Sequence, residues 1–224
     1  KKMQAAGIDV VQGCMTLEAS AAHRGFFSRI TKGRPRVTLK LAMSVDGRIA
    51  TQSGESQWIT GREARRDVHA LRACHDAVLV GSGTVRADDP SLTVRGLGRL
   101  SQPVRIVASQ DLNFAGTALK ASRDLAALWL CHGPNSAGIE AWRDACDQLL
   151  EVPKAGGGQL DLNALLQTLG AQGLTSVFCE GGSRLAASLL KANLVDDVLV
   201  YTAGLALGAD GLAGVADLGI ERLQ

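Results

Sequence analysis

The sequence predicts an α/β protein in which a mostly parallel sheet is flanked by helices. Three observations predict it. Short apolar runs of strand length alternate with segments of helical period. Two of those runs end directly in glycine-bearing turns that open a helix, as in Gly81-Ser82-Gly83 and Gly181-Gly182-Ser183. No apolar run reaches the roughly 18 to 20 residues that a membrane-spanning helix needs.

The bulk numbers agree. With 224 residues, 46% of them hydrophobic and 21% charged, the chain can bury a sizeable core. Its 24 Lys and Arg against 22 acids leave a net charge of +2, too little for a field that gathers nucleic acid. Any anionic ligand must then be met by local groups. The five cysteines, Cys14, Cys74, Cys131, Cys146 and Cys179, are scattered and form no C-x-x-C, which argues against a disulfide framework and against a zinc site. A reducing cytoplasm suits them.

In chain order, residues 1–34 read as a strand-like piece (8–11), a helix (17–30) and a basic linker, Thr31-Lys32-Gly33-Arg34-Pro35. A domain boundary is placed there. The opening Lys1-Lys2, with no signal-peptide core behind it, reads as the start of a segment of something longer. Strand 37–43, helix 61–73 and strand 77–81 follow, then strands 104–108 and 126–131. Further on come helix 160–172, strand 176–180, helix 183–192 and strand 198–203, with a glycine turn at 156–158. The helix at 61 carries Thr60-Gly61-Arg62-Glu63, the pattern of a capping box, so Thr60 and Glu63 are given no catalytic role.

The chemistry-bearing residues gather at strand ends. In the first strand Val37, Leu39, Leu41 and Met43 share one face, and Thr38, Lys40, Ala42 and Ser44 the other. Lys40 must reach water at a sheet edge or enter a polar cleft, because an unpaired buried ammonium is costly. Both readings stand. Ser44-Val45-Asp46-Gly47 is a turn, and the loop Gly54-Glu55-Ser56-Gln57-Trp58 offers a serine and a tryptophan. Trp58 either packs or lends its flat face to a nicotinamide or pyrimidine ring. At the first junction, Thr84-Val85-Arg86-Ala87-Asp88-Asp89-Pro90 is neither a dinucleotide fingerprint nor a P-loop. Its acids either cap a turn or include a general acid. At the second junction Glu180 precedes the glycines. Two such junctions at strand carboxyl ends suggest one dinucleotide cleft. Arg72 and Arg95 are surface charges or forked donors to a sugar phosphate. His23, His69, His75 and His132 show no ligand spacing and read as structural.

Three phrases, Val37-Thr38-Leu39-Lys40-Leu41-Ala42-Met43-Ser44-Val45-Asp46-Gly47-Arg48, Gly54-Glu55-Ser56-Gln57-Trp58-Ile59-Thr60 and Ala87-Asp88-Asp89-Pro90-Ser91-Leu92-Thr93-Val94-Arg95, together with Cys179-Glu180-Gly181-Gly182, resemble the reductase domain of the bifunctional riboflavin-biosynthesis deaminase/reductase family. The match spans about residues 36–208, and residues 1–34 resemble the tail of that family's deaminase domain. The resemblance implies a dihydrofolate-reductase-like fold over residues 35–224. It also implies NADPH-dependent reduction of the ribosyl side chain of 5-amino-6-(5-phosphoribosylamino)uracil to a ribityl chain, and a homo-oligomer with a small-molecule substrate. Carried over by position, Ala42, Trp58, Thr84, Asp88 and Ser109 line the cofactor site, with Gly182, Ser183, Arg184, Leu185, Ala186, Ala187 and Ser188 under its phosphates. Ser56, Arg72, Leu92, Arg95 and Glu180 hold the substrate. Asp88 or Lys40 supplies the proton, and Glu180 orients the aminopyrimidine or the ribose.

Two departures from the family pattern are expected to matter. The deaminase zinc signature, H-x-E with P-C-x-x-C, is not in these residues, so deaminase activity is expected to be absent, and Gln224 falls short of the closing strands the family would carry. The absence of an acid at Ser109 favours NADPH over NADH, an argument blunted by Asp111 nearby. A free-standing pyrimidine or pteridine reductase of the same fold, and a non-catalytic nucleotide-binding module, are the competing readings. Residues 1–34 weigh against the first, and the intact Lys40, Asp88 and Glu180 against the second.

Overall fold

A computed structural model of the chain describes residues 1–222; Leu223 and Gln224, the end of the second expected segment, lie outside the described residues. The chain begins with three helices, α1 (Lys2–Ala5), α2 (Thr16–Ala22) and α3 (Arg24–Lys32). Strand β1 (Arg36–Ser44) and the short β2 (Arg48–Ala50) follow, then α4 (Arg62–Ala73), β3 (Ala77–Gly81) and α5 (Ser82–Asp88). Next come β4 (Val104–Ser109), α6 (Thr117–Ala121), β5 (Leu128–His132), α7 (Ile139–Trp142) and β6 (Gln148–Glu151). The described chain closes with α8 (Leu162–Ala171), β7 (Ser176–Cys179), α9 (Ser183–Lys191), β8 (Asp197–Ala203) and β9 (Leu212–Ala213), and the triple glycine makes a 3-10 turn.

Seven strands form one sheet in the order β6-β5-β4-β3-β7-β1-β8, with every pairing parallel, while β2 and β9 pair antiparallel apart from it. This is the helix-flanked, dihydrofolate-reductase-like sheet that the resemblance implies. Parallel strands need covered faces, and both are covered here. One face, with Val37, Leu39, Leu79, Ile106 and Val177, packs under Leu165, Leu169, Ala186 and Leu189 of α8 and α9. The other, with Val78, Val80, Val107 and Leu130, packs under Val85, Leu119 and Trp142 of α5, α6 and α7. Each fully buried leucine or valine contributes about 1.5 to 3 kcal/mol.

Several expectations change. Residues 8–11 form no strand; they are largely exposed and have no ladder partner. The single helix expected over 17–30 breaks at His23. Beyond the break, α3 lies on the sheet's amino end. Gly25 there meets the Thr175 carbonyl so closely that a Cβ would sit 2.7 Å from its oxygen. Thr31 and Lys32 belong to α3, not to a linker. The capping box at Thr60 does not form. The cap position is Gly61, so Glu63 lies one residue too early to reach back, and no side chain caps the helix. The Thr60 carbonyl instead accepts from Arg65 at 2.7 Å. Elements β2, α6, α7, β6 and β9 have no counterpart in the sequence reading, being too short to show a period.

Candidate active site

A cleft of about 600 Å³ opens at the carboxyl ends of β1, β3 and β7. Parallel sheets place ligands there because successive crossovers leave a crevice between neighbouring strand ends. Both glycine junctions open onto it. The Gly81 junction contributes Thr84 and Asp88 through α5, and the β7 end contributes Glu180, Gly181 and Gly182 ahead of α9. Thr84 stitches the two together, since its Oγ1 accepts from the Gly182 amide at 3.1 Å.

Lys40 settles between its two readings. Strand β1 is interior, flanked by β7 and β8, so Lys40 enters the cleft rather than water at an edge. Burial pulls its pKa down, against the fields of Glu180 and Asp88 that push it up. Asp88 shifts the other way: burial raises its carboxyl, opposed by the Lys40 charge. Neither makes a salt bridge among the described residues. Its neighbour Asp89 caps α6 by accepting from the Ala118 amide at 3.1 Å. Both acids border the cleft, but Asp89 is committed to α6 and Asp88 has no such partner.

Arg72 and Glu180 form a forked pair, Nε to Oε1 at 2.5 Å and Nη2 to Oε2 at 3.0 Å, with both side chains nearly buried. A third Arg72 donor reaches the Thr93 carbonyl at 3.0 Å. This ties α4, the end of β7 and the loop at 90–95 into one wall. That loop is itself anchored from beneath. Arg105, buried on β4, donates to the carbonyl of Ser91 at 3.2 Å, and Gln102 brackets both backbone groups of Val94. Leu92 is then buried at the cleft floor and Arg95 stands exposed at its rim. Ser56 and Trp58 form the opposite lip, where the Arg65 guanidinium stacks 4.2 Å from the Trp58 ring centroid.

Of the residues singled out by sequence, Lys40, Ala42, Ser56, Trp58, Arg72, Thr84, Asp88, Leu92, Arg95, Glu180 and Gly182 all line this cleft. Ser109 does not. Its hydroxyl closes a turn after β4, accepting from the Leu112 amide at 3.1 Å beside Asp111. Ser183, Arg184, Leu185 and Ser188 do not line the cleft either, and Ala186 and Ala187 are buried, so of the segment expected under the cofactor phosphates only Gly182, at the start of α9, reaches it. Sequence reasoning missed Arg65 and His69. A signal for His69 exists: it precedes Arg72 by three residues and so shares its helix face. Among the described residues no group of three or more His, Cys, Asp or Glu is arranged to hold a metal, and no helix is long and apolar enough to cross a membrane.

A family model described as the RibD C-terminal domain matches residues 35–224. The chain is 39% identical to the riboflavin biosynthesis protein RibD of Escherichia coli (strain K12), over 99% of this chain and 62% of that protein. It therefore spans less than two thirds of the length of that curated relative. Among solved structures it is similar to Acinetobacter baumannii RibD, form 1, with TM-score 0.83 at 33% identity over 96% of this chain and 59% of that one. It is also similar to a diaminohydroxyphosphoribosylaminopyrimidine deaminase/5-amino-6-(5-phosphoribosylamino)uracil reductase from Thermotoga maritima, with TM-score 0.81 at 28% identity over 99% and 60% of the two chains. The family match thus starts at the residue before β1 and takes in every element that builds the cleft: the chain belongs to the RibD C-terminal domain family.

Proposed function

We propose that the chain reduces the ribosyl side chain of 5-amino-6-(5-phosphoribosylamino)uracil to a ribityl chain with NADPH. The observation that carries this reading is the convergence, in one cleft at the strand carboxyl ends, of Lys40 and Asp88 without ion-pair partners, the Arg72–Glu180 fork, and the Gly181-Gly182 junction. The junction fits a dinucleotide. Gly182 stands at the start of α9, where the first-turn amides have no acceptors within the helix and suit phosphate. A Cβ at Gly181 would come within 2.5 Å of Leu185, which accounts for bare backbone there. Ala42 and Thr84 extend the same wall, with Trp58 at the lip.

When bound, NADPH supplies the hydride for C1 of the ring-opened ribosylamino group. The chain's own groups position the substrate and move one proton. Glu180, held by both arms of the Arg72 fork, accepts from the aminopyrimidine or a ribose hydroxyl in a fixed orientation. Arg95 and the remaining Arg72 donors face the phosphate, while Ser56 and Leu92 bound the substrate. Lys40 and Asp88 hold the proton that must reach nitrogen or the ring oxygen as C1 is reduced. Burial shifts both toward neutral pH, the direction that helps a general acid.

The test is substrate-dependent NADPH oxidation, comparing the parent chain with Asp88→Asn and offering NADH as the alternative donor. Turnover that falls steeply in the variant supports the reading. A folded, NADPH-binding parent chain that oxidises nothing removes it.

A further inference from the structure

His69 lies on α4 one turn before Arg72 and lines the same cleft. Its Nδ1 sits 3.3 Å from the backbone nitrogen of Arg95, which donates to it. An imidazole whose Nδ1 accepts carries its proton on Nε2. That nitrogen has no hydrogen-bond partner among the described residues, and it is not a buried orphan. The ring therefore keeps one free donor in the wall of a cleft.

The cations around it point to what that donor meets. Arg72 spends its fork on Glu180 and a further donor on Thr93. Arg65 donates to Thr60 and stacks on Trp58. Lys40 sits in the fields of Glu180 and Asp88. Arg95 alone among the cleft arginines has its guanidinium without a partner among the described residues, and its own amide is what holds His69. Burial, then the charges of Arg72 and Arg95, push the imidazole below its ordinary range, with Glu180 and the Thr93 backbone opposing. A neutral ring adds no repulsion to the two guanidiniums. This corner gains most from an anion.

We infer that His69 is a ligand of the substrate's phosphate, donating from Nε2 beside Arg95 and Arg72. The inference rests on the proposed reaction and adds to it a residue at the anionic end of the substrate. A phosphate monoester is also present on NADPH, so two sources share the chemistry. The substrate's is favoured because the corner adjoins the Arg72–Glu180 fork, whereas the cofactor wall is built at Thr84 and Gly182.

Steady-state kinetics of His69→Ala and His69→Gln decide it, each with the phosphorylated substrate and with its dephosphorylated counterpart. For His69→Ala, KM for the phosphorylated substrate should rise about tenfold to a hundredfold, the scale of a hydrogen bond to a charged group. The values of kcat and of KM for NADPH should change little. Glutamine, which keeps an N–H donor, should recover most of the loss, and the dephosphorylated substrate should not distinguish the three proteins. A rise in KM for NADPH instead, an equal rise with both substrates, or no rise at all would overturn the assignment. Titration of the parent chain with inorganic phosphate, followed through the His69 ring resonances, separates this idea from the proposed reaction. A parent chain that turns over nothing sinks the reaction, yet a shift of those resonances still supports the phosphate contact and their silence refutes it.

Discussion

At the amino ends of the sheet strands, Asp76 and Asp196 are each held by several donors. Asp76 accepts from the Thr175 amide at 2.6 Å, the Thr175 hydroxyl at 2.7 Å and the Ser176 amide at 3.0 Å. Asp196 accepts from Arg34, Lys32 and the Val37 amide, and so fastens α3 and the start of β1 to the turn before β8. At the carboxyl ends of the same strands, Lys40 and Asp88 lack ion-pair partners, and Arg95 leaves its charge to the rim. The residue types are the same at both ends. What differs is whether the fold supplies their partners. Charge that is met inside the chain holds loops in place, and charge left unmet in a cleft is available to a ligand.

That contrast can be broken experimentally. The largest effect is expected at the open end: Lys40→Met should lower kcat by roughly 10² to 10⁴-fold, the range for loss of a proton-transfer group. It should leave urea-denaturation stability unchanged or improved, because an ammonium that burial disfavours is removed. A marked loss of stability would move Lys40 to the structural side.

At the closed end the pattern should invert. Asp196→Ala leaves the Arg34 guanidinium, whose side chain is only 8% exposed, without its carboxylate. A loss of about 3 kcal/mol in chemical denaturation is expected, as for other buried pairs broken from one side, with kcat unchanged in the folded fraction. A fall in kcat at full stability would show that the two ends are coupled.

Acid sharpens the same comparison. Burial works to raise the Asp196 carboxyl, but hydrogen bonds from Arg34, Val37 and Lys32 outweigh it and hold the pKa at about 2, below the ordinary 3.8. A lowered carboxylate contributes stability that is complete above its unfolded value and is lost as pH falls through the folded one. Stability should therefore decline from about pH 4 toward pH 2, and less steeply in Asp196→Asn. An equal slope in the variant would assign the acid sensitivity elsewhere.

The smallest effect concerns the cap of a helix that packs on the face of the sheet. Asp161 caps α8 by accepting from the Asn163 amide at 2.9 Å and the Ala164 amide at 3.1 Å. Asp161→Ala should cost about 1 kcal/mol in thermal or chemical denaturation and nothing in turnover.

Much of the fold is legible in local sequence because periodicity is a local property. The runs around Val37, Ala77, Val104 and Ser176 read as strands, and the glycines at 81 and 181–182 mark where those strands meet helices. Short elements such as α7 and β6 escape, since four residues carry no measurable period. Residues 8–11 mislead for a related reason: apolar residues of strand type make a strand only where another strand can pair with them.

The sequence by itself determined the class of fold and the two junctions that open the cleft, and it singled out the cleft's Lys40, Asp88, Arg72 and Glu180. The tertiary structure alone decided which charged groups are satisfied. Lys40 became a cleft residue because β8 covers the edge of β1. Asp88 and Asp89 parted roles because α6 lies within reach of only one of them. Arg72 meets Glu180 across 108 positions of sequence, and His69 meets the Arg95 amide across 26. Partners so distant leave no trace in local pattern. Whether a charge is met depends on a distance of a few ångströms that only the packed sheet and its helices fix.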